Sequence, residues 1–457
     1  MVFRVQVENE WNRAPEPCPA GTDVRRRLEL ADQGRLDEAR AVAAEVNPFP
    51  SVCAWICSAP CGQPGSPRPQ PSADLPPELP PIATPTRQRK ESVAIVGGGP
   101  AGMSAAHDLA RLGYGVSVFE AMPVLGGRLA LGVPEFGLPR RYLHRDLDRI
   151  VELGVGLRLG SVIGRDFFLA DLEAGFDAVL LATGMYRRRR LGVPGDRLAG
   201  VVPASRFIKD FNLGEAPVIG GPVVVAGGGR TALYAARCAV RSGASGVAVL
   251  YRRSRAEMPA PAGEVEAAEA EGVRIVTEVA IADVIGTDSV CGVTYTHQRL
   301  TGRFQGGRAE YEPVPGGDRA MDAAAVLVAV GEESDPSILP DGSDSETAAF
   351  AGFLVDTGPF PGHRNLFTAG DLVAGVKPAI NAVGSGRRAA VAIHEHLSAR
   401  SGRELRHADR ASTSGAMCRY LQLLKSLGGN VNAALAAISA KEATALSEAA
   451  AKPATGI

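Results

Sequence analysis

The sequence predicts an α/β protein with two Rossmann-like units behind a small helical domain. Three observations carry this. A strand, glycine turn, helix, strand pattern runs through residues 92–120 and recurs through 222–251. Residues 62–88 hold nine prolines among Gly, Ser and Gln, a composition that sustains neither a helix nor a central strand and reads as a linker. The segment before that linker has apolar residues at helical spacing and four cysteines.

At 457 residues the chain is too long for one ordinary core, so two or three domains are expected. Hydrophobic content of 45% and charged content of 22% are those of a globular protein, and the net charge of −1 gives no whole-chain attraction to nucleic acid or an anionic membrane. The opening MVFRVQVENEWN lacks the apolar core of a secretory signal, and no run of about 18 apolar residues occurs, so a cytoplasmic location without a membrane span is expected. Seven cysteines, an odd number, argue for reduced thiols rather than a disulfide framework.

In chain order, residues 22–46 read as two short helices broken near Gly34, with Val24, Leu28 and Ala31, then Leu36, Ala39, Ala43 and Val46, on their apolar faces and Asp23 in a first turn. Strands are expected at Ser92–Val96 and Gly115–Phe119, then at Pro222–Ala226 and Gly246–Tyr251. Residues 321–331 (MDAAAVLVAVG) read as a further buried strand, 364–371 as a short strand and turn, and 378–398 as a helix. The Ala-rich segments 416–426 and 431–450 read as helical.

The first glycine turn is GxGxxG at Gly97, Gly99 and Gly102, with Pro100 and Ala101 opening the helix. In such a turn the first glycine permits the tight bend, the second lets backbone approach a pyrophosphate, and the third lets helix pack on strand. Free N–H groups and the positive helix end then face the phosphates. The second strand ends at Glu120, 18 residues after Gly102, placed to accept from ribose hydroxyls. The second turn is GxGxxA at Gly227, Gly229 and Ala232, with Arg230 and Thr231 between. Its following strand ends in Arg252-Arg253-Ser254-Arg255 rather than an acid. An acid would repel a 2′-phosphate and arginines bind one, so NADP(H) is favoured over NAD(H); the plainer alternative is solvated arginines, or pairing with Glu257.

These motifs, with Leu125-Gly126-Gly127-Arg128-Leu129, Gly132–Phe136, Ala182-Thr183-Gly184, Tyr251–Ala260 and Ala369-Gly370-Asp371, resemble the glutamate synthase small-subunit family of flavoproteins over roughly residues 15–65 and 90–398. The resemblance implies an NAD(P) domain inserted in an FAD domain. The organisation it implies is a cysteine-containing helical domain at 1–65, a Pro-rich linker at 66–90, an FAD domain at 91–205 and 331–400, an NAD(P) domain at 206–330 and a helical extension at 401–457. FAD would be held by Gly97, Gly99, Pro100, Ala101, Gly102, Glu120, Gly127, Arg128, Leu129, Ala182, Thr183, Gly184, Gly370 and Asp371. NAD(P)(H) would be held by Gly227, Gly229, Arg230, Thr231, Ala232, Arg252 and Arg253. Asp371 can equally be a helix N-cap.

The family's N-terminal domain binds two [4Fe–4S] clusters. Here Cys18, Cys57 and Cys61 match three ligands of one, while the cysteines before Cys18 are absent and Gly65 stands where another is expected. One [4Fe–4S] cluster on those three thiolates is therefore the expectation, against a metal-free docking domain. Cys53 has no usual ligand counterpart, and Cys238 and Cys291 are expected in cores.

The function the resemblance implies is an FAD-dependent pyridine nucleotide oxidoreductase, acting as an electron-transfer subunit. It would exchange hydride with a nicotinamide cofactor and pass electrons to or from iron–sulfur clusters of a partner, of glutamate synthase, 2-oxoacid or aldehyde oxidoreductase type, or a ferredoxin-like subunit. No side chain need act as acid or base in hydride transfer, so no catalytic residue is assigned. A self-sufficient disulfide reductase would need paired cysteines beside the flavin, but no CxxC occurs and no cysteine lies between 62 and 237. A non-catalytic scaffold with a vestigial site is opposed by two intact turns. The Arg187–Arg190 run reads as a solvated loop, or as a steering patch for an acidic partner.

Overall fold

The computed structural model describes residues 18–57, 82, 89–185, 187–305, 308–333, 359–360, 362–374 and 378–400. Cys61, most of the Pro-rich linker and the whole 401–457 extension lie outside the described residues. Three helices come first: α1 (Val24–Asp32), α2 (Leu36–Val46) and α3 (Pro50–Ile56). The main body runs β1 (Ser92–Val96), α4 (Pro100–Arg111), β2 (Gly115–Glu120), α5 (Arg140–Val151), β3 (Gly156–Leu159), α6 (Leu169–Gly175), β4 (Ala178–Leu181) and β5 (Val201–Pro203). It continues with α7 (Ala204–Asn212), β6 (Pro222–Ala226), α8 (Arg230–Arg241), β7 (Gly246–Tyr251), α9 (Ala262–Ala270), β8 (Arg274–Thr277), β9 (Val279–Gly286) and β10 (Val290–Gln305). The last elements are β11 (Arg308–Asp322), β12 (Ala325–Val328), β13 (Leu366–Thr368) and α10 (Ala379–Arg400).

Two compact units emerge. The first contains residues 1–127, 140–185 and 334–457; the second contains 128–139 and 186–333. The chain thus leaves the first unit, builds the second and returns. The expected boundary at 205/206 moves to 185/186, because β5 pairs in parallel with β12 (Val201↔Val326) in the second unit. Strand 321–331 is not one element either. Asp322 ends β11, and Ala323 and Ala324 break the chain before β12.

The first unit is built on a parallel sheet of order β13-β4-β1-β2-β3, with Val93 beside both Val116 and Ala178. Near-continuous apolar strands such as SVAIV and AVLL suit a sheet covered on both faces. One of its cores gathers Ala94, Val96, Phe119, Val179, Leu181 and Leu366. The helical pair α1 and α2 lies where periodicity predicts, and Asp23 is the N-cap of α1, its carboxylate accepting from the Arg26 amide at 2.9 Å. Helix α3 belongs to the same unit. Its free amides at Ser51 and Val52 donate to the carboxylate of Asp146 on α5, at 3.2 and 2.9 Å, and Trp55 stacks on Tyr142 of α5 with centroids 5.1 Å apart.

The second unit carries a parallel sheet of order β5-β12-β6-β7-β8 and a three-stranded antiparallel sheet β9-β10-β11. Val223, Val225, Leu233, Ala236, Val249 and Leu327 centre its core, where Cys238 is fully buried and its thiol is pushed up by burial to about 12. Cys291 does not share that fate: strand alternation in β10 sends Val290 inward and Cys291 to the exposed face.

Candidate functional sites: two glycine cradles

Each unit holds a cradle made the same way. In the first, β1 ends at Val96 and the chain turns at Gly97 (φ 111°), whose amide donates to the Phe119 carbonyl at 2.8 Å. A Cβ on Gly97 would fall on the Ala182 carbonyl, so Ala182-Thr183-Gly184 lies directly against the turn. Gly99 N-caps α4 with extended backbone and Pro100 follows at the first helical position. A Cβ on Gly102 would collide with the Gly97 carbonyl, which is why α4 can pack this close to β1.

Glu120 closes the floor. Its two oxygens accept from the Gly98 amide at 2.6 Å and the Met122 amide at 2.8 Å, and it is 6% exposed. Burial raises its carboxyl above the usual range, with those two amide bonds pulling the other way. Gly126 donates to the Gly98 carbonyl, and Gly127 sits so close that a Cβ there would lie 2.8 Å from Gly99 Cα. Gly370 (φ 77°) donates to Ser385 Oγ at 2.9 Å beside Ala101, and Asp371 opens a short helix. The Thr183 hydroxyl is buried with no hydrogen-bond partner among the described residues. A glycine-walled floor, a fresh helix end, a buried acid and this orphaned hydroxyl fit a flavin dinucleotide.

The second cradle repeats the geometry. Gly227 (φ 140°) donates to the Leu250 carbonyl at 3.0 Å, and a Cβ there would fall on the Ala329 carbonyl. Ala182 donates to Val96 and Ala329 to Ala226, both at 2.8 Å, so Ala329-Val330-Gly331 is the counterpart of Ala182-Thr183-Gly184. Sequence reasoning missed that pairing. The signal was present in the likeness of VLVAVG to VLLATG, each an apolar strand running into its turn. Gly229 caps α8 with open space around it, Arg230 ion-pairs with Glu264 (3.0 Å), Thr231 is exposed and Ala232 is buried.

The remaining expected residues fall as follows. Arg128 and Leu129 belong to the second unit, where Arg128 ion-pairs with Glu332. Arg252 is exposed and Arg253 half-buried. Arg255 is held bidentately by Glu269, both bonds 2.6 Å. Glu257 is held by the Ser254 hydroxyl at 2.7 Å and Tyr311 at 2.5 Å, rather than by an arginine. Residues 187–188 pair with 332–333 as a small ribbon, and Arg190 reaches Asp196 at 3.8 Å.

Among the described residues no cluster of three or more His, Cys, Asp or Glu is arranged to hold a metal. Cys18, Cys53 and Cys57 are half-buried neighbours; burial pushes the Cys53 thiol well up, and Cys57, Asp146 and Cys18 add to that. The turn after Cys18 is docked on the first unit: Pro19 touches Gly384, and Arg387 of α10 donates to the Ala20 carbonyl. No helix among the described residues is long and apolar enough to cross a membrane.

Paired cradles of this design, one ending in an acid and one in arginines, define a two-dinucleotide oxidoreductase of the flavoprotein class. The chain belongs to the pyridine nucleotide-disulphide oxidoreductase family, which matches residues 91–386. It is 40% identical over 317 residues to the NADP(+)-dependent formate dehydrogenase subunit beta of Moorella thermoacetica, covering 67% of this chain and 44% of that one. It is 31% identical over 422 residues to the glutamate synthase [NADPH] small chain of Azospirillum brasilense, covering 84% and 86%. The family expected from the motifs is thus the one found. The chain spans about half the length of the first two proteins it matches, 44% of the formate dehydrogenase subunit and 51% of the NADPH-Fe(3+) oxidoreductase subunit beta of Geobacter sulfurreducens. Among solved structures, Mycobacterium tuberculosis FprA in complex with NADPH shares the fold, with TM-score 0.57 and 16% identity over 74% of this chain and 94% of that one.

Proposed function

We propose that this chain is the FAD- and NADP(H)-binding electron-transfer subunit of a larger cytoplasmic oxidoreductase. The first unit takes FAD and the second NADP(H). The observation that carries the reading is the contrast between two matching cradles, Glu120 at the strand end of one and Arg252-Arg253 at that of the other. Several similar proteins have names that speak of subunits, NADP(+) or NADPH.

In this reading the amides of the Gly99–Gly102 turn and the α4 end face the FAD pyrophosphate, Glu120 accepts from its ribose, and Thr183, Gly370 and Asp371 border it. The corresponding turn of α8 faces the NADP(H) pyrophosphate, and Arg252 and Arg253 face its 2′-phosphate. When bound, the flavin supplies both hydride exchange with a nicotinamide and single-electron exchange with an iron–sulfur partner. Cys18, Cys57 and Cys61 hold one [4Fe–4S] cluster, and the partner supplies the remaining redox centres.

The test is anaerobic titration of the purified chain. Absorbance near 450 nm is expected, bleaching at far lower NADPH than NADH concentration. Iron near four per chain is expected from the lone cluster. A colourless protein that takes up no FAD would sink the reading; iron near zero would remove the cluster from it.

A further inference from the structure

The arginines at the end of β7 are presented by a loop with two unusual supports. The first is Tyr311, on β11, 57 residues from Ser254. Its hydroxyl donates to Glu257 Oε2 at 2.5 Å and accepts from the Ser254 amide at 3.3 Å. The Ser254 hydroxyl also donates to Glu257 Oε2, so the two hydroxyls converge on one carboxylate oxygen. The hydrogen bond from Tyr311 holds Glu257 below the usual carboxylate range and raises Tyr311, so the proton stays on the phenol.

The second support is Glu278, between β8 and β9. It is the one non-glycine residue with positive φ (57°) among the described residues. L-residues avoid this conformation unless the surroundings fix it, and such strain gathers at functional positions. In this conformation Glu278 pairs both of its peptide groups. Its amide donates to the Arg253 carbonyl at 2.9 Å and its carbonyl accepts from the Gln298 amide of β10 at 2.7 Å.

The hairpin arm of β10 and β11 therefore reaches the arginine loop twice, from Gln298 through the Glu278 backbone to Arg253 and from Tyr311 to Ser254 and Glu257. Of the acids beside the loop, Glu269 is paired with Arg255, while Glu257 takes the Ser254 and Tyr311 hydroxyls on one oxygen and keeps its charge near Arg253. No ion pair links Arg252 or Arg253 to a carboxylate among the described residues. Two guanidinium groups are left open on a braced loop, the arrangement a phosphate dianion needs.

We propose that Tyr311 and the Glu278 peptide are positioning elements that hold Arg252 and Arg253 for the 2′-phosphate, so that NADP(H) selectivity resides partly in the hairpin arm. This rests on the NADP(H) reading above.

The full-length flavin-loaded chain, as wild type and as Tyr311→Phe, would be titrated calorimetrically with 2′,5′-ADP and with 5′-AMP. The phenylalanine keeps the ring and removes only the hydroxyl. Expected is a roughly tenfold weaker Kd for 2′,5′-ADP, with 5′-AMP binding, flavin content and Tm unchanged. An unaltered 2′,5′-ADP affinity in Tyr311→Phe, or equal losses for both probes, would overturn the positioning role. A wild type that binds both probes equally would instead overturn the NADP(H) reading and the inference with it.

Discussion

Replacing Arg387 by methionine should cost the first unit stability in a pH-dependent way. Arg387 and Asp108 are 1% and 2% exposed, joined at 2.8 Å, with His107 Nδ1 on the other Asp108 oxygen at 2.7 Å. Burial pushes the Asp108 carboxyl up, yet the Arg387 charge and the His107 hydrogen bond outweigh it and bring it from 3.8 down to about 2. Burial lowers His107, so Arg387 supplies the balancing charge. The Asp108 depression corresponds to roughly 2 kcal/mol of stability, present above the unfolded value and lost as pH falls through the folded one. Methionine fills the volume but leaves a buried carboxylate without its cation, and removal of one partner of such a pair costs about 3–5 kcal/mol. In the variant burial dominates, Asp108 rises above its unfolded value, and protonation favours the fold. The deficit should therefore shrink between pH 7.5 and pH 5.0. Urea unfolding followed by far-UV circular dichroism at both pH values measures this, and Arg387→Met/Asp108→Leu should recover much of the loss. A deficit below about 1 kcal/mol at pH 7.5, or one equal at the two pH values, would refute the reasoning.

Three further outcomes follow from the cradles and the N-terminal docking. Gly102→Ala forces a methyl into the Gly97 carbonyl and to 3.1 Å from Ile95 Cγ2, so purified protein should carry little flavin by absorbance; Gly229→Ala has open space and should keep its Tm while binding nucleotide about tenfold more weakly. Asp146→Leu orphans the Ser51 and Val52 amides at about 1–3 kcal/mol each, which hydrogen exchange at those two positions should reveal as loss of protection.

The two glycine turns were legible because their sequence is dictated by collisions local to the motif. Gly97, Gly102 and Gly227 each stand where a side chain would strike a carbonyl, so the residue type announces the geometry. The strands around them were legible for a related reason: sheets buried on both faces need unbroken apolar runs. The hairpin arm was not. β10 and β11 are largely exposed, mix Thr, Gln, Arg and Glu, and slip register near Thr296 and Leu300, so no period survives. The same holds for β5, three residues long, whose assignment to the second unit is set by its pairing with β12 more than a hundred residues away. Cys291 was misplaced because a Val-rich stretch suggested a core, while alternation in a strand with one wet face decided otherwise.

What separates the two cradles also lies partly beyond the motif. Their turns share the same hydrogen bonds and the same carbonyl behind the first glycine, so the backbone alone cannot choose between nucleotides. In the function proposed above, the choice falls to the residues at the end of the second strand. In the first unit a single acid suffices, because Glu120 is fixed by two amides in or beside the turn. In the second unit the arginines have long, mobile side chains and nearby acids that could neutralise them. Glu257 sits five residues after Arg252, and from sequence the pair reads as an ordinary surface ion pair. The Tyr311 and Ser254 hydroxyls converge on one oxygen of that carboxylate, and no ion pair joins it to Arg252 or Arg253 among the described residues. A strand end rich in arginine is thus a weak signal by itself, and in the positioning proposed for Tyr311 it gains meaning from a tyrosine on a distant hairpin.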